Sequence, residues 1–122
     1  MKTVDIFGKN QLPEVNKSRI ACRGFIVKDG KILICHEIVD KQFFSPGGGI
    51  EKDETLEECC IREICEETGV IVKVQKPIIT VNEYYEDWKY ITHYFLCEAV
   101  GTSERNLTSE EIKRGLVPEW AD

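Results

Sequence analysis

The sequence of 122 residues has no long apolar run, no internal repeat and no low-complexity segment. Its longest apolar stretches, residues 19–27 and 90–100, are interrupted by polar side chains. Both fall well short of the roughly 20 residues that cross a bilayer. The first residues also lack the apolar segment and the small-residue cleavage site of a secretory signal. We therefore expect no membrane partner and a cytoplasmic location.

The sequence also lacks a positive net charge. Its formal charge is −6 at pH 7, whereas non-specific binding to DNA or RNA depends on a basic surface. Nucleic acid is therefore not an expected partner. A small anionic ligand would need a cation to bridge it to such a protein.

Cysteine spacing gives no sign of a zinc site or a disulfide scaffold. The six cysteines include no C-x-x-C pair, and His36 and His93 are not spaced as zinc partners to them. Disulfide scaffolds belong to short secreted chains with weak cores, whereas 42% of this sequence is hydrophobic and 31% charged. We expect one domain over residues 1–122 with buried or helix-packed thiols. The cysteines are Cys22, Cys35, Cys59, Cys60, Cys65 and Cys97.

Strand-like segments surround one predicted helix. The predicted strands cover residues 2–7, 20–27, 31–35, 70–81 and 89–100. The first would be an edge strand, followed by a loop within residues 1–17. Asp29 and Gly30 predict a two-residue hairpin turn, because this dipeptide readily adopts positive φ. A polar loop is expected over residues 83–87.

A glycine loop leads into the helix. Proline and three glycines within residues 45–49 predict a break in regular structure. Thr55 begins the helix because its hydroxyl and the Glu58 carboxylate form a capping box. The helix runs to about Thr68, and Gly69 occupies its left-handed terminating position. A second helix start is expected at residues 108–111.

Three carboxylates share one face of the first helix. Glu63, Glu66 and Glu67 stand at i, i+3 and i+4, in the last turns, where the helix dipole already disfavours anions. A hard divalent ion such as Mg²⁺ would relieve both penalties. A solvated acidic face is the commoner fate of such a cluster, but the preceding glycines would let the backbone approach the same ion or a phosphate.

Residues 48–70 fit the pattern G-x5-E-x7-R-E-U-x-E-E-x-G-U, in which U is a bulky aliphatic residue. The defined positions hold Gly48, Glu54, Arg62, Glu63, Ile64, Glu66, Glu67, Gly69 and Val70. The segment resembles the Nudix box of MutT-like hydrolases at every defined position, and Pro46-Gly47 resembles the family's lead-in. The resemblance implies an α+β fold, the Nudix α/β/α sandwich, with a mixed β-sheet and a catalytic loop-helix-loop.

The resemblance also implies roles for the matched residues. Glu63, Glu66 and Glu67 would be catalytic and would bind Mg²⁺ or Mn²⁺, with the Gly47 carbonyl as a further ligand. Gly48, Glu54, Arg62 and Gly69 would be structural, with Glu54 and Arg62 as an ion pair. Glu63 is the first choice as general base. A glutamate outside the box is the alternative, and the candidates are Glu98, Glu104, Glu110 and Glu111.

The implied activity is a Mg²⁺-dependent pyrophosphohydrolase that cleaves a diphosphate linkage in a nucleoside diphosphate derivative. A non-catalytic sensor of the same fold is the alternative, although the complete set of glutamates favours catalysis. An isomerase of this fold would require further site residues that the sequence does not show.

Substrate contacts are expected outside the box. Arg23 lies within an apolar strand, where an unpaired charge is costly. Arg19, Lys41 and Lys89 are weaker candidates for a phosphate contact, and solvated side chains are the alternative. Phe44 and Tyr85 are aromatic residues able to stack on a base. Relatives that remove oxidised nucleotides carry an arginine pair where this chain has His36-Glu37, which disfavours 8-oxo-dGTP.

The end of the chain departs from the family pattern. A C-terminal helix usually follows a segment like Glu119-Trp120, and here it is missing or shortened. Apolar surface exposed by its absence would favour a homodimer or reduce the stability of the protein.

Overall fold

The computed structural model describes residues 2–122 and is built around a mixed β-sheet. Met1, the first residue of the predicted domain and of the predicted 1–17 segment, lies outside the described residues. The strands are β1 (Lys2–Phe7), β2 (Lys17–Lys28), β3 (Lys31–Glu37), β4 (Gln42–Phe44), β5 (Gly47–Gly49), β6 (Val70–Tyr85), β7 (Trp88–Thr102) and β8 (Leu116–Ala121). The helices are α1 (Leu56–Thr68) and α2 (Ser109–Arg114).

The strands follow the order β1-β6-β7-β2-β3-β4, with β5 added to β2 and β8 added to β3. The pairs β1–β6 and β2–β7 are parallel, and the other pairs are antiparallel. The predicted mixed sheet with one main helix is therefore confirmed. In the part of the chain that the structure describes, α2 is the only other helix and buries no side chain. No helix in residues 2–122 is long and apolar enough to cross a membrane.

Local sequence signals set the turns and helix ends. Asp29 and Gly30 have φ angles of 52° and 77° in the predicted hairpin turn. Thr55 caps α1 with both hydrogen bonds of the capping box. The Glu58 nitrogen donates to Thr55 Oγ1 at 3.1 Å, and the Thr55 nitrogen donates to Glu58 Oε1 at 3.0 Å. Gly69 ends the helix with φ of 75°. These features need only neighbouring residues, which is why the sequence predicts them well.

Two predicted loops are wrong in extent. Residues 83–87 do not form a loop: β6 continues to Tyr85, and a tight turn contains Glu86 with φ of 51°. Cross-strand pairing, including Tyr85 opposite Trp88, extends the strands through these polar residues. The predicted break at 45–49 also ends early, because Gly47–Gly49 forms β5 against β2. Without side chains, this strand fits beneath α1.

The core lies between α1 and the strands β2, β6 and β7. Its thiols are free and buried as expected, except that Cys65 is half-buried. The buried cluster is Cys22, Ile26, Leu33, Cys59, Cys60, Ile64, Val70, Val72, Phe95 and Cys97. Gly24 of β2 faces Ile64, and a Cβ there would approach its Cδ1 to 2.5 Å. The close approach of α1 to β2 therefore depends on this glycine.

Replacement of Gly24 by alanine should lower the free energy of unfolding by about 1–3 kcal/mol, because the added methyl overpacks the helix–sheet contact. Urea denaturation measures this loss. Gly101→Ala is the matched control, since a Cβ there meets its nearest neighbour at an ordinary 3.6 Å. Equal stability changes in the two variants would contradict the proposed contact.

Candidate active site

Arg62 connects the glycine strand β5 and the loop after it to the acidic face of α1. Its Nε and Nη2 donate to the two Glu54 oxygens at 2.6 and 3.0 Å. Its Nη1 donates to Glu63 Oε1 at 2.8 Å and to Glu66 Oε2 at 3.2 Å. Its Nη2 also donates to the Gly49 carbonyl at 3.1 Å. One guanidinium therefore fixes the loop and two of the three predicted carboxylates.

The ion pair with Glu54 is the strongest part of this network by geometry, because it is bidentate and its side chains are 12% and 22% exposed. Hydrogen bonds from Arg62 lower the pKa of the Glu54 carboxyl from its ordinary 4.5 to about 2. Glu54 also accepts a hydrogen bond from the Glu51 nitrogen at 3.0 Å. The pair therefore holds the start of the helix against the preceding loop.

Glu67 is buried at the base of the glycine strand β5. Its Oε1 accepts a hydrogen bond from the Gly47 nitrogen at 2.6 Å, and its side chain is largely shielded from water. Burial and the neighbouring Glu111 carboxyl together raise the pKa of Glu67 to about 8, against the lowering effect of the Gly47 N–H. The protein therefore places this carboxyl where a negative charge is costly without a cation.

Glu63 lies above the same strand, next to Gly48. Burial raises the pKa of its carboxyl, while Arg62 opposes that rise. A Cβ on Gly48 would stand 2.4 Å from Glu63 Oε2. Glycine at position 48 is therefore a steric requirement for this position of the Glu63 carboxylate.

These groups line one cavity of about 560 Å³. The predicted residues Gly47, Gly48, Glu63, Glu66, Glu67, Arg23 and Phe44 all border it. Arg23 donates from Nη1 to the Ser45 carbonyl at 2.6 Å and lies 5.5 Å from the centre of the Phe44 ring. The structure thus brings the predicted glycines and glutamates together with Arg23 and Phe44.

Four predicted residues do not border this cavity, and they are Glu54, Arg62, Gly69 and Tyr85. Glu54 acts behind it through Arg62, and Gly69 ends α1, where a Cβ would meet the Ser103 carbonyl at 2.6 Å. Tyr85 borders a different recess beside Ile6 and Gly8. The structure therefore does not bring Tyr85 to the glutamates, because the longer β6 carries it to the far end of the hairpin.

Of the four glutamates that the sequence offers as alternatives to Glu63, which are Glu98, Glu104, Glu110 and Glu111, only Glu111 borders the cavity. The capped α2 carries it there. Sequence reasoning missed Glu37, which is buried, and Arg114, whose Nη1 lies 3.7 Å from Glu37 Oε2. No local pattern links these two residues. The pairing of β3 with β8 brings their elements together.

The predicted metal ligands are close but not assembled. Within residues 2–122, no three His, Cys, Asp or Glu side chains converge in the geometry of a metal site. The Glu63 and Glu66 carboxylates point to Arg62, and Glu67 accepts from the Gly47 nitrogen. The Gly47 carbonyl, Glu63, Glu66 and Glu67 therefore stay predicted ligands.

Comparison with known proteins gives a family match over most of the chain. The model of the NUDIX domain matches residues 17–121. A NUDIX hydrolase from Nitrosomonas europaea has the same fold, with a TM-score of 0.70 at 22% identity over 87% of this chain and 73% of that one. At this identity the likeness shows the fold alone.

Two curated relatives are more similar in sequence. An ADP-ribose pyrophosphatase from Methanocaldococcus jannaschii is 37% identical over 59% of this chain and 52% of its own length. Diphosphoinositol polyphosphate phosphohydrolase 3-alpha from Mus musculus is 33% identical over 88% of this chain and 65% of its own length. The chain thus spans between about half and two thirds of these relatives.

Replacement of Glu54 by glutamine should destabilise the protein by about 1–2 kcal/mol at neutral pH, because it removes a charge-assisted bidentate pair. The lowered pKa sets the pH dependence: the stabilisation is present above about pH 4.5 and is lost as the pH falls through about 2. Denaturation of both proteins across this range measures the difference. A difference that does not shrink in acid would contradict the role of this ion pair.

Proposed function

The chain belongs to the NUDIX family, and from that membership we propose that it is a pyrophosphatase that hydrolyses a diphosphate linkage in a nucleoside diphosphate derivative. The proposal includes a divalent cofactor, Mg²⁺ or Mn²⁺. The similarity to an ADP-ribose pyrophosphatase and to a diphosphoinositol polyphosphate phosphohydrolase supports this reaction class. The observation that carries it is the confinement of three carboxylates beside a glycine strand in one cavity.

The chemistry of the donor set fits a hard divalent ion. Glu63, Glu66 and Glu67 offer carboxylate oxygens, which Mg²⁺ prefers, and burial raises the pKa of Glu63 and of Glu67. We assign the ion to these three residues and the Gly47 carbonyl, with Glu111 as an additional candidate. When bound, the ion would neutralise the diphosphate and lower the pKa of the attacking water.

The residues around the carboxylates position them. Arg62 holds Glu63 and Glu66 on one side of the cavity, and Glu54 holds Arg62 in turn. In the proposed reaction Glu63 accepts the proton of the attacking water. Its position supports that assignment, because the Glu63 carboxylate borders the cavity in which the diphosphate would bind.

Arg23 is suited to bind the diphosphate. The Ser45 carbonyl and the Phe44 ring hold its guanidinium at the cavity wall. A guanidinium has five N–H donors, and the contact with Ser45 uses one of them. The others are available for phosphate oxygens, a pairing that guanidinium geometry favours.

The assembly state and the cellular location stay predictions. Exposed Ile38, Val39 and Ile112 are compatible with the homodimer expected from the sequence. A cytoplasmic location is likewise proposed from the sequence alone.

Substitution of Glu66 or Glu67 by glutamine should lower kcat by at least about 100-fold, because each removes a charged ligand of the proposed ion. The measurement is release of phosphate or nucleoside monophosphate from a panel of nucleoside diphosphate derivatives with and without Mg²⁺. Glu57→Gln, in the exposed first turn of the same helix, is the matched control and should retain full activity.

The same experiment separates catalysis from ligand sensing. Metal-dependent turnover that both substitutions abolish supports the hydrolase. Tight binding of a nucleoside diphosphate derivative by the unmodified protein, without any turnover, would overturn it in favour of the sensor. Full activity in Glu66→Gln and Glu67→Gln would overturn the assignment of the carboxylates.

Replacement of Gly48 by alanine should reduce kcat by about 100-fold, because the methyl displaces the Glu63 carboxylate, and a misplacement of about 1 Å costs a factor of that order. Steady-state kinetics and a thermal unfolding scan would be recorded together. Gly101→Ala serves again as the control. Unchanged kcat in a folded Gly48→Ala protein would show that this position of Glu63 is not the active one.

A further inference from the structure

Glu37 is a buried carboxylate on the wall of the catalytic cavity. Its side chain is only 8% exposed, and it borders the cavity. It is the last residue of β3, where Gln42 of β4 and Leu116 of β8 stand opposite it. Pairing with both strands therefore fixes the place of this carboxylate. A charge buried in this way is costly unless a partner compensates it.

Arg114 is the partner of this carboxylate. Its Nη1 lies 3.7 Å from Glu37 Oε2, and within residues 2–122 the Glu37 side chain has no other hydrogen bond or ion pair. Arg114 is the last residue of α2 and also borders the cavity. The ion pair therefore joins two walls of the cavity, one formed by β3 and the other by α2.

The backbone of Arg114 is anchored although α2 buries no side chain. Its carbonyl accepts a hydrogen bond from the Val39 nitrogen at 3.1 Å. The carbonyl of Gly115, which ends α2 with a φ of 68°, accepts one from the Ile38 nitrogen at 3.2 Å. The half-exposed side chain of Arg114 thus extends from a fixed point. A change of partner by this side chain requires no movement of the backbone.

The guanidinium of Arg114 has unused hydrogen-bond donors. Its distances to Glu37 and Glu110, 3.7 and 3.9 Å, exceed those of a hydrogen bond. The pair with Glu110 is exposed to solvent and contributes little. In the part of the chain that the structure describes, none of its five N–H groups has an acceptor at hydrogen-bonding distance. By contrast, every nitrogen of the Arg62 guanidinium donates to a protein acceptor.

Carboxylates outnumber cationic side chains around the cavity. Among the described residues, the glutamates that border it are Glu37, Glu63, Glu66, Glu67 and Glu111, and the cationic residues are Arg19, Arg23 and Arg114. A metal ion would offset part of this negative charge, but an anionic diphosphate still needs cationic donors that the protein does not already use. A guanidinium with free donors matches phosphate oxygens in charge and in geometry.

We propose that Arg114 donates to the non-bridging oxygens of the bound diphosphate and that Glu37 is its positioning residue. This inference rests on the proposed function and adds a contact from a second wall of the cavity, because Arg23 stands on β2. Glu37 orients the guanidinium through its charge and does not itself touch the substrate. A purely structural ion pair would leave substrate binding insensitive to the side chain at position 114.

The first test measures binding of the α,β-methylene analogue of adenosine diphosphate, which cannot be hydrolysed, by calorimetry in the presence of Mg²⁺. Arg114→Ala should raise Kd by about 10–100-fold, as expected for the loss of charge-assisted hydrogen bonds. Arg114→Lys should raise it by only about 3–10-fold, because lysine keeps the charge but loses the paired donors. Lys113→Ala is the matched control, since this neighbouring cation does not border the cavity. Its Kd should equal that of the unmodified protein.

Chemical rescue separates a phosphate contact from a structural role. Methylguanidinium ion should lower the raised Kd of Arg114→Ala by at least about 3-fold, because it supplies the missing planar donors at a half-exposed position. Methylammonium ion at the same concentration is the control and should have a smaller effect. Equal effects of the two ions would show that position 114 requires only a positive charge and would contradict paired donation to the phosphate.

The positioning role of Glu37 is tested with a double variant. Glu37→Gln should raise Kd by about 3–10-fold, because the guanidinium loses the charge that orients it. Glu37→Gln combined with Arg114→Ala should bind as weakly as Arg114→Ala alone, since Glu37 acts only through Arg114. The double variant also removes the unpaired buried carboxylate that Arg114→Ala leaves behind. A thermal unfolding scan of each variant accompanies the measurement, so that a folding defect of the single variant does not decide the result.

Unchanged affinity in the double variant would overturn the contact between Arg114 and the diphosphate. Additive losses from the two substitutions would overturn the positioning role of Glu37. If the unmodified protein hydrolyses no nucleoside diphosphate derivative but the affinities change as expected, the proposed function fails and the diphosphate contact stands. Absence of binding by the unmodified protein would contradict both proposals.

Discussion

The guanidinium of Arg62 is the contact on which the rest of the site depends. Its bonds to Glu54 and to the Gly49 carbonyl tie the loop to the helix, and its bonds to Glu63 and Glu66 place two carboxylates on one side of the cavity. A lysine would supply one charge centre and could not make these contacts in fixed directions. The arginine thus sets the geometry, and its positive charge limits the repulsion within the acidic cluster.

The glycine strand imposes the complementary constraint. Arg62 contributes contacts, whereas Gly47–Gly49 has no side chains to separate the backbone from α1. A Cβ at Gly47 would come within 2.1 Å of the Cys22 carbonyl, and one at Gly48 would overlap the Glu63 carboxylate. Because no side chain intervenes, the Gly47 nitrogen reaches Glu67 directly. The backbone of the glycine strand therefore comes within hydrogen-bonding distance of a buried carboxylate.

The sequence predicted those parts of the molecule that neighbouring residues determine. The Asp29-Gly30 turn and the Thr55 cap follow from local chemistry, and the spacing of Glu63, Glu66 and Glu67 follows from the helical repeat. Glu37 and Arg114 could not be found in this way, since they meet only after β8 pairs with β3. The sequence did not predict that β6 continues through polar residues such as Glu83, because their pairing partners lie on another strand.

The walls of the catalytic cavity differ in how firmly they are anchored. Glu67 stands on α1, whose inner face is sealed into the core, whereas Glu111 stands on α2, a six-residue helix with no buried side chain. Segments with so little packing open at a small fraction of the global unfolding free energy. Ligand binding in the cavity and local folding of α2 are thus thermodynamically linked. A ligand that contacts Glu111 would stabilise the folded α2, and the free energy of folding this helix would reduce the apparent affinity of the ligand.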